Sequence, residues 1–230
     1  MRNRTSQHRG AAPLVGFTLI ELLVVISILI LLVTLLMPAF QAAKNAVYNA
    51  RSKTRLAELS TGAEQYAQNN RNLYPGQLYP DVLTGNGGPY TGSQVLAASL
   101  FNYRYQDIGN VNRTLESKYA PVDQDDMITV GSGNRTNSIS DRFPRTPPMA
   151  VCYYPARPGV AGTDQFKEGD NTAYTSGSSW VGGNFTVYIR DNRFDSSSSA
   201  GPYNSGSYIL LAAGIDGKYG TLDDVRNFED

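Results

Sequence analysis

The sequence predicts an α+β protein in which a long N-terminal helix packs on a C-terminal antiparallel sheet. Three observations lead to this prediction: an apolar run over residues 17–37, a helix-forming continuation to residue 69, and short alternating segments confined to the last third of the chain. A sheet of such short strands is most simply antiparallel, and it needs another element to cover its apolar face. The long helix is that element.

The apolar run has the length of a membrane-spanning helix. Its 21 residues include a single charged side chain. At a rise of about 1.5 Å per residue they span about 31 Å, the thickness of the hydrocarbon core of a bilayer. A secretory signal peptide has a shorter apolar core, with its cleavage site after that core. We therefore expect a transmembrane helix, and an ordinary single-pass anchor is the alternative.

Glu21 is the unusual residue of this helix, because a charge inside a bilayer costs at least about 2.5 kcal/mol. No Lys, Arg or His occurs between Phe17 and Phe40. The counter-charge must therefore come from a new amino terminus or from another chain. Cleavage after Gly16 would create such an amine at Phe17, so we expect Glu21 to act in assembly.

These residues carry a resemblance to a known family. Gly16 followed by Phe-Thr-Leu-Ile-Glu and a long aliphatic helix resembles the class III signal of type IV pilins and type II secretion pseudopilins. The resemblance implies a pilin-like fold, cleavage after Gly16 by a prepilin peptidase, N-methylation of Phe17 and a role for Glu21 in filament assembly. Pro38 matches the proline that kinks the helix in this family.

The function implied by the resemblance is that of a pseudopilin subunit. Such a subunit assembles into a short periplasmic filament that drives type II protein secretion. Its partners would be membrane lipid, other copies of itself, minor pseudopilins and the inner-membrane platform of the secretion system. A type IV pilus subunit for adhesion or DNA uptake is the alternative. Imaging cells for long surface fibres would distinguish the two.

The resemblance and the charge pattern divide the chain into four parts. We expect a prepilin leader (1–16), a transmembrane helix (17–37), an amphipathic continuation of that helix (38–72) and a globular domain (73–230) with a loop-rich insertion at about 76–148. The leader has three arginines and no acid. Basic residues on the N-terminal side of the membrane helix predict a cytoplasmic N terminus. The globular domain is then expected in the periplasm, anchored by a single pass in the bacterial inner membrane.

The composition excludes several functions. Without the three leader arginines, 17 basic residues face 20 acidic ones, a net charge of −3, so no nucleic-acid partner is expected. The single histidine, His8, lies in the leader, which leaves no Ser-His or Cys-His catalysis and no His-ligated zinc in the mature chain. Cys152 has no partner for a disulfide. We expect no enzyme, although a carbohydrate hydrolase that uses Asp123 and Asp126 is an alternative of another class.

The helix continuation carries two different apolar stripes. The first consists of small residues: Ala43, Val47, Ala50, Thr54 and Ala57. The second, on nearly the opposite side, consists of Leu56, Leu59, Ala63 and Tyr66. We expect the first stripe to suit close contact between helices and the second to lie on the sheet. The alternative is that both stripes pack on the same domain.

The predicted elements of the globular part are few. A short helix is expected from Ser93, as N-cap, to about Tyr103. Alternating apolar residues predict strands at 149–154, 184–190 and 207–212.

The segment that most resembles a binding site follows the last of these strands. Three carboxylates, Asp216, Asp223 and Asp224, lie in a glycine-rich loop and would repel one another without a cation. The chemistry alone leaves two interpretations open, a Ca²⁺ site or an acidic turn with Lys218 as counter-ion. The loop is similar to the C-terminal calcium loop of major pseudopilins, and this resemblance implies that the three carboxylates bind Ca²⁺.

Overall fold

The computed structural model describes residues 16–101, 104, 116–121, 126–129, 138–175, 180–193 and 200–228. The predicted leader, apart from Gly16, lies outside these residues. Two compact units divide the chain, residues 1–44 and residues 45–230.

Helix α1, Leu19–Asn69, is the longest element and has 51 residues. It continues without interruption through Pro38. The Thr34 hydroxyl donates to the carbonyls of Ile30 (3.0 Å) and Leu31 (2.8 Å), as a helical threonine commonly does. The long continuous helix is confirmed, whereas the kink at Pro38 stays a prediction.

The part of α1 in the first unit has no buried residue. Every residue from 16 to 44 is exposed, including all the large aliphatic side chains of the apolar run. The helix is long and apolar enough to cross a membrane. By contrast, soluble helices bury their apolar residues in the core of their own chain.

The second unit adds a three-stranded antiparallel sheet to the second half of α1. Its strands are β3 (Cys152–Pro155), β4 (Tyr208–Ala212) and β5 (Val225–Arg226), with β4 in the centre. Tyr153 pairs with Leu210, and Leu211 pairs with Arg226. A separate small ladder joins β1 (Met127–Ile128) to β2 (Ser138–Ile139). The predicted antiparallel sheet is therefore present.

Both faces of this sheet are covered. On one face, Tyr153 and Leu210 pack with Leu59 of α1 and Leu96 of helix α2 (Gly92–Leu100). On the other, Cys152, Tyr154, Ile209 and Leu211 pack with Tyr174, Phe185, Ile189 and Tyr219. Because both faces are buried, every residue of β3 and β4 is buried.

The N-cap of the short helix α2 lies two residues before the predicted N-cap, Ser93. Thr91 is the observed cap, and it forms a capping box with Gln94. A Cβ atom at Gly92 would lie 1.8 Å from the carbonyl oxygen of Tyr153, so only glycine allows the helix start to approach β3 this closely. The helix ends at Leu100, and the predicted end at Tyr103 lies outside the described residues.

The strand predicted at 184–190 is wrong. Phe185–Tyr188 forms one helical turn, α4, after another short helix, α3 (Thr172–Thr175). The Asn184 side chain caps α4 by accepting the N–H of Thr186 at 2.9 Å. Phe185 and Ile189 are buried while Val187 is 52% exposed, which is helical spacing and not strand alternation. The third strand of the sheet is β5 instead.

Candidate functional site

Glu21 lies at the start of α1, where, within the part of the chain that the structure describes, its carboxylate forms hydrogen bonds with Thr18. Its Oε2 accepts the Thr18 N–H at 2.9 Å and the Thr18 hydroxyl at 2.7 Å. The Thr18 hydroxyl in turn accepts the N–H of Glu21 at 3.2 Å. These bonds form a reciprocal capping box, and the negative charge lies at the positive end of the helix dipole.

This capping box was not among the features predicted from the sequence. The sequence does contain the pattern for it, because Thr18-x-x-Glu21 directly before an apolar run is the usual spacing of such a box. Glu21 therefore has a local structural role besides the predicted role in assembly. The two roles differ chemically, since a capping box needs only a hydrogen-bond acceptor at Glu21, whereas an ion pair needs its charge.

Among the residues that the structure describes, no ion pair with Glu21 occurs. Phe17, Ile20, Val24 and Val25 line the surface around it. The predicted processing residues Gly16 and Phe17 and the predicted assembly residue Glu21 are all exposed.

The two predicted stripes of α1 have different environments. Leu56, Leu59 and Ala63 are buried in the core of the second unit, whereas Val47 is 50% exposed and its stripe neighbours are exposed as well. The alternative that both stripes pack on one domain is therefore wrong. A groove with a volume of about 700 Å³ runs beside the exposed stripe. It is lined by Val47, Ala50, Arg51, Thr54, Asp126, Ser140, Arg142 and Phe143.

A buried charge cluster anchors α1 to the rest of the second unit. The Arg55 side chain is fully buried and forms ion pairs with Glu58 (3.2 Å) and Asp126 (3.3 Å). Arg142 donates to both carboxylate oxygens of Asp126, at 2.8 and 2.6 Å. Burial lowers the pKa of Arg55, and the charge of Asp126 opposes this shift.

The cluster bears on the hydrolase alternative. Asp123 lies outside the described residues, and Asp126 is paired with two guanidinium groups. Such pairing occupies the oxygens of the carboxylate. The geometry of Asp126 is that of a structural ion pair, not of a catalytic acid.

The C-terminal loop, residues 213–224, brings two of its three predicted ligands together. The Asp223 carboxylate accepts the Asp216 N–H at 3.0 Å and the Thr221 hydroxyl at 2.5 Å. Partial burial would raise the pKa of Asp223, but these hydrogen bonds outweigh it and lower the pKa. Asp216 is exposed and accepts the Lys218 N–H at 2.8 Å.

Asp224, the third predicted ligand, has a different environment. Its Oδ2 accepts three hydrogen bonds, from the Tyr188 hydroxyl (2.6 Å), the Gly220 N–H (2.7 Å) and the Thr221 N–H (3.0 Å). Burial raises the pKa of Asp224 to about 6, and the three donors oppose the shift. Asp224 thus connects the loop to helix α4.

The hydrogen bonds that Asp216, Asp223 and Asp224 accept determine which of their oxygens could bind a metal ion. Asp216 and Asp223 could offer oxygens to Ca²⁺, whereas Oδ2 of Asp224 already accepts three hydrogen bonds. Within the described residues, no group of three or more His, Cys, Asp or Glu side chains is arranged to hold a metal. The residues fit the ion only in part, and Ca²⁺ binding stays a prediction.

Cys152 lies in β3 and is fully buried. Burial raises the pKa of its thiol strongly. A thiol in this environment is not reactive, because the thiolate is the nucleophile. This agrees with its interpretation as a small buried strand residue.

Comparison with known proteins identifies no relative. No family model matches the chain, and no curated protein or solved structure is significantly similar to it.

Proposed function

We propose that this chain is a pilin-like filament subunit of the pseudopilin type, held in the bacterial inner membrane until it assembles into a short periplasmic filament for protein secretion. Cleavage after Gly16 gives Phe17 a free amine. The Glu21 carboxylate of one copy then pairs with the Phe17 ammonium of a neighbour in the same layer of the membrane.

One observation carries the proposal. Glu21 is an acid on a helix whose surface is exposed from residue 16 to residue 44, and Thr18 alone provides its observed hydrogen bonds. In lipid, a carboxylate with hydroxyl and amide donors but no cation remains costly, and an ammonium within a few Å removes much of that cost. Partners from other copies supply both the missing charge and the cover for the apolar surface.

The exposed stripe of α1 supports the same proposal. Helices that associate closely in membranes and filaments use small residues at their contacts, because small side chains let the backbones approach. The exposed Ala50 and Thr54 are residues of this kind, and the groove beside them offers further surface to a neighbour.

The experiment separates the charge of Glu21 from its capping role. Glu21→Gln keeps an acceptor for the capping box but removes the charge, whereas Thr18→Val removes the hydroxyl from the box and keeps the charge. We expect Glu21→Gln to insert into the membrane and to form no filaments, as Glu21→Ala should also do. Thr18→Val should still assemble. Filaments are measured by shearing and by crosslinking of whole cells.

A matched control is Glu168→Gln, which makes the same chemical change at an exposed position of the second unit and should assemble normally. Normal filaments from Glu21→Gln would contradict the proposed ion pair. Mass spectrometry of the mature chain tests the processing step independently, and it should find methylated Phe17 as the first residue. A chain that retains Met1 would exclude the proposal.

A further inference from the structure

Arg145 reaches from the insertion to the beginning of the C-terminal loop. Its Nη1 donates to the carbonyl oxygen of Ala213 at 2.7 Å, directly after β4. Its Nη2 forms a short ion pair with Asp141, whose side chain is fully buried. The guanidinium lies 4.7 Å from the centroid of the Phe143 ring, so its stem and plane are also packed.

The guanidinium also lies against the turn of the loop. A Cβ atom built at Gly217 would be 2.9 Å from Nη1 of Arg145, and Gly217 has a φ of +72°. A side chain at this position would meet both the guanidinium and backbone strain. Arg145 therefore binds the loop at the carbonyl of Ala213 and fills the space that a side chain at Gly217 would need.

The support behind Arg145 is rigid. Asp141 accepts the N–H of Phe143 at 3.1 Å, and its own N–H donates to the carbonyl of Met149 at 3.1 Å. Next to it, Ser140 forms a β-bridge with Ala150. The Ala150 carbonyl in turn accepts the hydroxyl of Tyr219, which is a buried residue of the same loop. The pair is thus fixed to the segment that leads into β3.

We propose that Arg145 is the resident cation of the C-terminal loop, and that its guanidinium, oriented by Asp141, holds residues 213–224 on the domain without a bound metal ion. A guanidinium supplies fixed positive charge to carbonyl oxygens, as a metal ion would, and adds directional N–H donors. Arg145 and Ca²⁺ are rival ways of holding the same loop. The contact lies within one copy, so the inference is independent of filament assembly.

Hydrogen exchange of the full chain in detergent tests this inference. The readout is the exchange rate of amides 213–224, measured by mass spectrometry in EGTA and in CaCl₂. We expect the same protection of the wild-type loop in both solutions. Arg145→Met should accelerate exchange in the loop about tenfold or more, the effect of losing a hydrogen bond to a charged group. Arg145→Lys should restore part of the protection.

Two controls show whether the effect is local. Arg193→Met removes a guanidinium that also pairs with an aspartate, Asp191, and lies 5.0 Å from the Tyr203 ring. It should leave the loop unchanged. Amides 157–170, around the separate Arg157–Asp170 pair, should also keep their exchange rates in Arg145→Met.

Two outcomes would overturn the inference. They are faster loop exchange of the wild type in EGTA than in CaCl₂, and unchanged loop exchange in Arg145→Met. The wild-type comparison is decisive even if Arg145→Met does not fold.

Discussion

Each half of helix α1 carries a charged residue, Glu21 in the first half and Arg55 in the second, and the two have different partners. Arg55 is buried, and its counter-charges, Glu58 and Asp126, belong to the same chain. Glu21 is exposed on an apolar surface, and in the described residues it bonds only to its neighbour Thr18. A charge buried in a folded domain is stabilised by partners that folding brings to it. A charge on a helix in lipid needs a partner from another chain.

The apolar surfaces of the two halves differ in the same way. Leu59 is completely buried by the sheet and α2, while the aliphatic residues of the run at 17–37 remain uncovered in the single chain. The second half is thus part of a folded domain. In the single chain the first half leaves its apolar surface exposed, and under the proposed function lipid or other copies would cover it.

The largest expected effect concerns the internal charge partner. Asp126→Ala removes one carboxylate partner from each of Arg55 and Arg142 while Arg55 stays buried, so we expect a loss of about 3–5 kcal/mol in the free energy of unfolding. Denaturant unfolding of the full chain in detergent measures this loss. The control is Asp191→Ala, which breaks the pair with the half-exposed Arg193 and should cost less than about 1 kcal/mol. Equal losses of unfolding free energy in the two variants would contradict the expected difference between a buried and a half-exposed ion pair.

The next prediction compares two apolar residues of α1. Leu59→Ala leaves a cavity in the core and should destabilise the second unit by about 2–5 kcal/mol. Val47→Ala, on the exposed stripe, should change the unfolding free energy by less than about 0.5 kcal/mol. The same denaturant experiment measures both. A large loss of unfolding free energy for Val47→Ala in the single chain would show that the exposed stripe packs on its own domain.

The last prediction is the direction of a pH dependence. Burial raises the pKa of Asp141 to about 7, although the neighbouring Arg145 opposes the shift. An unfolded aspartate titrates at about 3.9. Between these values the folded chain keeps a proton that the unfolded chain releases, so this group makes stability fall as pH rises from about 4 to about 7.

Thermal unfolding of the wild type and of Asp141→Asn across this pH range measures the effect. The asparagine does not titrate, so the difference in Tm between the two proteins should change with pH in the stated direction. A constant difference would show that Asp141 does not titrate in this window.

Much of α1 could be predicted because its signals are local. Apolar length, the spacing of its two stripes and the absence of basic residues around Glu21 can all be read within a few helical turns. The strand at 184–190 could not be predicted correctly, because Phe185, Val187 and Ile189 alternate in sequence just as a strand would. Only the packing of Phe185 and Ile189 on one side distinguishes the helical turn.

The sequence by itself determined the apolar helix, its exceptional carboxylate and the acidic character of the C-terminal loop, because each depends on residues close together in the chain. The tertiary structure decided which charges meet. Arg142 reaches Glu58 across 84 positions, and Arg145 reaches Ala213 across 68. Such contacts depend on how the elements pack together, and no local pattern of residue types specifies them.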